Sequence, residues 1–581
     1  MPLRRWINRK WLPVITVGFI LATSLLKLWL DLAVRIKAES WQSFDGALYV
    51  NQAFSLLASQ WLGDYNNLTL AKGPMYPIWL ALNNLIGWPL LFSQSLLYLI
   101  AGLVLLVQLR KLFEPGVKTH LVLITFFLLY IFNPFIEVRL MREGIYSSLT
   151  VLVIAGWISL YNHLNNSKKG LFARSLLSGL ALSAFWLTRE EGLWILPTLI
   201  LLTAYILYRL YSNFYFSSEF FKRAGICLLP IATLLASLHL VSSTNERHYG
   251  VYTVVEQKSL PFTSAYGALL RVKHPNWVRY LHVPKEVRLM IYEASPAFKE
   301  LKPYIDGNLG KVWQRRSWVS DTCNFYPMTC PDYGGTWFMW VFREAVADAG
   351  YYSSAITAET YFHRLAQEVN AACNSQQLNC QPLSMTTIPP YRSEYTPLMV
   401  STFFTGLQHI LSLPVRDYVF GFYGKSRGDK AGVWRFSELT NNRALPSVTG
   451  GEPPYKQLTT TDRFKLSVLQ AITTIYQACL PMMSWLILPA LLLSMLLALR
   501  HNRVTFLLVL NIGILSALVG RLLILSYIDI SMFPAFNLWP SYIGVFFPLL
   551  FILLVMSIFD AVSQINTWFT NAATSYKVPP N

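Results

Sequence analysis

The chain has 581 residues, 54% apolar and only 13% charged. That is about half the charged share of an ordinary soluble domain and excludes a conventional cytosolic enzyme. The formal charge of +18 would suggest nucleic acid as a partner for a soluble protein. Here the basic residues sort onto one side of a membrane, so no nucleic acid is expected.

Crossing a hydrocarbon core of about 30 Å takes roughly 20 apolar residues. Ten runs qualify, at about 11–30, 88–109, 119–137, 145–163, 172–187, 192–210, 224–242, 467–499, 504–527 and 541–562. The first is too long for a signal-peptide core, carries Lys27 and lacks a small-residue cleavage site, so it is read as a retained helix. With the N-terminus inside, fifteen basic residues fall on cytoplasmic loops: Arg4, Arg5, Arg9, Lys10, Arg110, Lys111, Lys118, Lys168, Lys169, Arg174, Arg209, Lys222, Arg223, Arg500 and Arg503. The short outer loops hold Arg35, Lys37, Lys72, Arg139, Arg142 and Arg189. Both termini are therefore expected in the cytoplasm. The expected class is an α-helical polytopic membrane protein of about ten transmembrane helices. It divides into a module over 1–242, a mixed extracytoplasmic domain over 243–466, and three C-terminal helices with a tail over 467–581.

The first outer loop contains Ser43-Phe-Asp-Gly-Ala-Leu-Tyr-Val-Asn-Gln. Ser43 is a natural cap for a helix on which Asp45, Tyr49, Gln52, Leu56 and Ser59 form a largely polar stripe opposite Phe44, Leu48, Phe54 and Leu57. Such a helix would lie on the outer membrane surface, with Asp45 near its start as a general base or simply as a cap. Lys72 follows in Lys-Gly-Pro-Met-Tyr-Pro, fixed by its glycine and prolines, to pair with a phosphate or to snorkel to headgroups. The next outer loop crowds Glu137, Arg139, Arg142 and Glu143 together, and Thr188-Arg-Glu-Glu-Gly forms a second acidic and basic knot on the same side. Arg521 interrupts an apolar run. Ionisable groups at membrane depth call for a partner or a function, so a salt-bridge network and an anionic-headgroup pocket are both open.

In the outer domain, helical pattern at Thr336–Asp348 and Ala355–Ala372 alternates with Pro- and Gly-rich stretches such as Leu445–Tyr455. Cys323, Cys330, Cys373 and Cys380 form two sequence-close pairs. Two disulfides are expected outside the cytoplasm, with a four-thiolate zinc site the alternative. Cys227 and Cys479 fall in spans as ordinary small residues. No Walker loop, GxGxxG, HExxH or internal repeat is present.

The order of these motifs resembles the start of the GT-C superfamily of membrane glycosyltransferases. The similarity is to the branch holding protein O-mannosyltransferases and lipid A aminoarabinose transferases. It rests on Asp45 with Tyr49 and Ala53, on Lys-Gly-Pro-x-x-Pro, on Arg142-Glu-Gly-Ile-Tyr146 and on Thr188-Arg-Glu-Glu-Gly-Leu. It extends loosely to Arg521 through Asp529, Phe533-Pro-Ala and Tyr542. The family's acidic pair is reduced here to Asp45 followed by Gly46. The resemblance implies a hexosyltransferase that takes a polyprenyl-phosphate-linked sugar from the lipid phase of a bacterial inner membrane to a protein, lipid or glycan acceptor outside. Asp45 would be the base. Lys72, Arg142, Arg189 and Arg521 would hold the donor phosphate. Glu143 and Glu190 would orient the arginines or bind a divalent ion, Mg or Mn. Tyr49 and Gln52 would face the acceptor or sugar. A non-catalytic relative in envelope polysaccharide assembly or export and a secondary transporter are the alternatives.

Overall fold

The computed structural model describes residues 2–41, 43–316, 322–383, 385–412, 425–447, 459–532 and 542–575, with side chains described between 11 and 566. The described chain is almost entirely helical, with only isolated bridges between extended segments. The protein is an integral multi-pass membrane protein. Among the described residues nine helices are long and apolar enough to cross a membrane, and a tenth, Val117–Ile131, is shorter at 15 residues. These ten fall where ten spans were expected. The eighth is a 42-residue run, Thr460–His501, broken between Ser484 and Ile487. At 1.5 Å per residue it is about twice the length a bilayer core needs, which the break accommodates.

Local chemistry sets several boundaries. Thr459 and Asp462 close a capping box at the start of the eighth span, and Thr505 and Ser217 cap the ninth and seventh. Small residues let neighbouring helices touch. A Cβ on Gly179 would sit 2.6 Å from Thr233 and 3.0 Å from the Pro230 backbone, so the fifth span, Lys168–Thr188, lies directly on the seventh, Ser218–Tyr249. Without a hydrophobic driving force between helices in lipid, this close contact and side-chain hydrogen bonds hold the bundle. Tyr98 and Tyr130 stack at 4.3 Å, and each hydroxyl donates to the other residue's carbonyl.

The long segment between the seventh and eighth spans does not form one unit. A separate core runs from Phe262 to Leu378 and is built on Phe262, Phe338, Phe342, Phe362 and Trp313. The expected helices are present there as Trp337–Asp348 and Ala355–Asn374. Cys323 pairs with Cys330 and Cys373 with Cys380, so the cysteines make two local disulfides and no zinc site. Beyond residue 390 the chain returns to the spans. Helix Tyr395–Ser412 places Phe403, Leu407 and Ile410 in the core of the helical bundle, and Lys430–Thr440 seats Phe436 there. The reason is compositional: both helices carry an apolar face that the 262–378 core does not cover. Part of the expected irregular stretch, 448–455, lies outside the described residues, as does Phe533-Pro-Ala.

The end of the bundle that carries the 262–378 core is called the domain face below. Residues 36–39 tie it together, bridging Ile36 to Ala444, Lys37 to Arg139 and Glu39 to Arg427.

Candidate functional site

Asp45 occupies the N-cap position of helix Gly46–Leu57, and Ser43 precedes it in a turn, so the expected Ser43 cap is two residues too early. The Asp45 side chain makes no capping hydrogen bond; its carboxylate is paired with Lys72. Residue 46 is glycine, and an added Cβ there would press on the Phe436 ring of helix Lys430–Thr440 at 3.2 Å. Tyr49 and Gln52, expected on an open face, are both buried. Tyr49 meets Tyr76 edge-on at 5.2 Å and lies 5.4 Å below the Lys72 ammonium, while Gln52 donates to the Thr69 carbonyl at 2.9 Å. The polar stripe is turned inward because the helix packs on Met75–Ile86, so neither residue presents an open acceptor surface.

Lys72 and Gly73 bring the first loop against the turn after the fifth span. The Gly73 N–H donates to Glu190 Oε1 at 2.9 Å, and a Cβ at Gly73 would lie 2.3 Å from the Leu187 carbonyl oxygen. Only glycine fits there. Arg142 donates from Nη1 to both oxygens of Glu190, at 2.8 and 2.6 Å, and to the Thr188 carbonyl at 3.3 Å. Arg189 pairs with Glu143 and with Glu191. Lys258, arriving from the start of the long segment, donates to the Glu190 carbonyl. Lys72, Arg142, Arg189, Glu143 and Glu190, named from three separate loops, thus meet with Asp45 in one cluster at the domain face. Glu137 and Arg139 pair with each other beside it, at 3.0 Å.

Charge in this cluster is held by neighbours against burial. Burial opposes the charged form of Glu190, but Arg142 overcomes it and keeps the carboxyl below its ordinary value. Burial likewise works against Glu191, and Arg189, Arg142 and Arg521 together bring it down to about 2. Lys258 moves the other way: burial lowers it, and the nearby glutamates only partly restore it.

Arg521 stands apart from this pairing. It is 2% exposed, and among the described residues no carboxylate lies within ion-pair distance of it. Its guanidinium sits 4.9 Å from the Trp194 ring, 5.7 Å from Tyr146 and 5.8 Å from Phe546. Nη2 donates to the Tyr542 carbonyl at 3.1 Å, and Nε is buried with no partner. Arg189 lies 4.5 Å over the Tyr542 ring, its own Nε also unpartnered. The cluster thus has five cations, Lys72, Arg142, Arg189, Lys258 and Arg521, against Asp45, Glu143, Glu190 and Glu191. Two of these cations have no carboxylate within ion-pair distance among the described residues, the exposed Lys258 and the buried Arg521. Such a site favours an anion with an apolar portion.

Among the described residues no group of three His, Cys, Asp or Glu side chains is arranged to hold a metal ion, and Glu143 and Glu190 are each engaged by an arginine. Sequence reasoning missed Lys258, which carries no local motif, and quoted Glu191 without giving it a role.

No protein-family model matches the chain, and no curated protein does. Among solved structures the chain is similar to ArnT from Cupriavidus metallidurans in the apo state, at 13% identity and a TM-score of 0.30, covering 89% of this chain and 77% of that one. It is also similar to ArnT from the same organism bound to undecaprenyl phosphate, at 11% identity and a TM-score of 0.30, covering 97% and 81% of the two chains.

Proposed function

We propose that this protein is a membrane glycosyltransferase that moves a sugar from a polyprenyl-phosphate donor to an acceptor at the domain face. That face is read as extracytoplasmic, both termini lying in the cytoplasm of a bacterial inner membrane. The observation that carries the reading is Arg521: a buried arginine with no carboxylate within ion-pair distance among the described residues, boxed by aromatic rings beside an ion-paired aspartate of the same cluster. A phosphate on an apolar chain matches both halves of that environment.

In the proposed reaction Asp45, held by Lys72, accepts the proton of an acceptor hydroxyl as its oxygen bonds to the anomeric carbon. The bond from that carbon to the phosphate oxygen breaks, and the electron pair leaves with the polyprenyl phosphate. Negative charge develops on the phosphate, where Arg521 and Arg189 supply preorganised donors with unused buried Nε groups. Glu143 and Glu190 fix the orientation of Arg189 and Arg142. A lipid-borne donor accounts for a chain without a nucleotide-binding motif.

The test is turnover by purified protein in nanodiscs with a panel of radiolabelled polyprenyl-phosphate sugars, reading transfer to water or to added acceptors. Transfer that is lost in Asp45→Asn while the variant keeps its thermal midpoint supports the reading. Absence of turnover and of binding across the panel would leave a non-catalytic assembly or export role in its place.

A further inference from the structure

A polar cavity of about 310 Å3 lies between the 262–378 core and the last turn of the ninth span, Phe506–Ser531. Trp277, Tyr395, Arg392, Lys273, His274 and His282 define its chemistry. It stands ten residues along the span from Arg521, roughly 15 Å at the helical rise, and shares no residue with the ionic cluster.

Three nitrogens in its wall are buried without a partner: Arg392 Nε, His274 Nδ1 and His282 Nδ1. The tautomers follow from the other ring atoms. His274 Nε2 lies 3.1 Å from the His282 carbonyl and His282 Nε2 lies 3.1 Å from the Ser531 carbonyl. A carbonyl only accepts, so each Nε2 carries the hydrogen and donates. Burial lowers both imidazoles, His282 to about 4, so both rings are neutral near pH 7 and each Nδ1 is a bare lone pair. The two histidines therefore ask for O–H donors. Arg392, whose outer Nη2 reaches Glu394 at 3.5 Å, keeps its inner Nε for an acceptor, and the exposed Lys273 adds a second cation. Arg392 stacks 4.5 Å over Trp277, whose ring lies 6.0 Å from Tyr395, giving an aromatic wall. An unmade buried hydrogen bond is costly, so three orphans around one cavity mark a place that a ligand completes.

We propose that this cavity binds an anionic monosaccharide unit: hydroxyl groups donate to the two histidine lone pairs, the acidic group meets Arg392 and Lys273, and the C–H face of the ring lies on Trp277 and Tyr395. The volume is at the lower end for ligand pockets and suits one sugar rather than an oligomer. That the unit belongs to the acceptor rests on the transfer reading above; the binding does not.

The experiment measures binding to the full chain in nanodiscs without any lipid donor, by saturation-transfer NMR and calorimetry. The probes are glucuronate and glucose 1-phosphate, with glucose as the neutral control. The expected result is that one or both anionic sugars bind at least tenfold more tightly than glucose. The stronger of the two says whether the natural group is a carboxylate or a phosphate. Arg392→Gln and, at an exposed position that tolerates change, Lys273→Gln each weaken binding severalfold or more, and Asp45→Asn leaves it unchanged. Affinity for both anionic sugars within tenfold of that for glucose, no binding of either anionic sugar, or binding lost in Asp45→Asn and kept in both pocket variants would overturn the proposal. Because no donor is present, the result is independent of whether the chain transfers a sugar.

Discussion

Replacing Arg521 with Met separates a phosphate-binding role from a structural one, because the two roles predict opposite outcomes. The methionine keeps the apolar stem in the box of Trp194, Tyr146 and Phe546 and removes the charge. Without a lipid phosphate, the loss is one hydrogen bond to the Tyr542 carbonyl, about 1 kcal/mol, and cation–π contacts worth about 1–2 kcal/mol. Against this, the variant no longer desolvates a cation that lacks a carboxylate within ion-pair reach, a cost of several kcal/mol. The apo protein should therefore unfold at a temperature no lower than the wild type. With a phosphate bound, the lost charge-assisted hydrogen bonds are worth about 1.5–3 kcal/mol, or roughly 10- to 100-fold in affinity at 1.4 kcal/mol per decade. The assay is thermal unfolding in detergent with and without a polyprenyl phosphate, together with its dissociation constant. A variant that melts well below the wild type yet binds the lipid phosphate equally well would refute the reasoning and make Arg521 a structural residue.

Gly73→Ala places a methyl 2.3 Å from the Leu187 carbonyl, and the backbone there cannot rotate away as a side chain would, so a loss of about 1–3 kcal/mol is expected in thermal unfolding. An unchanged midpoint would show that the turn gives freely. Glu191 is held down to about 2 in the folded protein against an ordinary value near 4.5. Its stabilising contribution is complete above pH 4.5 and is lost as pH falls toward 2, so the thermal midpoint should drop in that window and drop less in Glu191→Gln. Opening the Cys373–Cys380 bridge by serine substitution at both positions should cost about 2 kcal/mol, the loop being short, as read by unfolding of the full chain with and without reductant.

The spans were legible because a bilayer imposes one length and one composition on every crossing helix. The third is short, at Val117–Ile131, because Asn133 and Pro134 stop the helix and the apolar Phe135 and Ile136 beyond them lie in loop. In the candidate site, the cations and carboxylates could be named from their placement at helix ends, where charge is costly and therefore conspicuous. Their pairing could not be named: Arg142 reaches Glu190 and Arg189 reaches Glu143, across 48 and 46 residues, and no local pattern encodes which arginine meets which glutamate. Tyr49 and Gln52 were misplaced for a related reason. Periodicity shows that a helix has two faces, but the inward one is fixed by Met75–Ile86, whose packing lies outside the window. The 243–466 segment also read as one domain because a change from apolar to polar composition marks where a chain leaves the bilayer. It does not mark where Tyr395–Ser412 comes back to pack on the spans.

Phe44, the residue immediately before Asp45, is seated in the core of the 262–378 unit, 5.0 Å from Trp340, 6.1 Å from Trp337 and 6.4 Å from Trp313. One peptide bond thus joins an anchor in the 262–378 core to the aspartate of the ionic cluster. The unit cannot be trimmed away as a detachable module, since its removal would release the backbone that sets where the Asp45 carboxylate stands. By the same link, anything that loosens or tightens the tryptophan nest is felt at that carboxylate without crossing a single helix of the bundle.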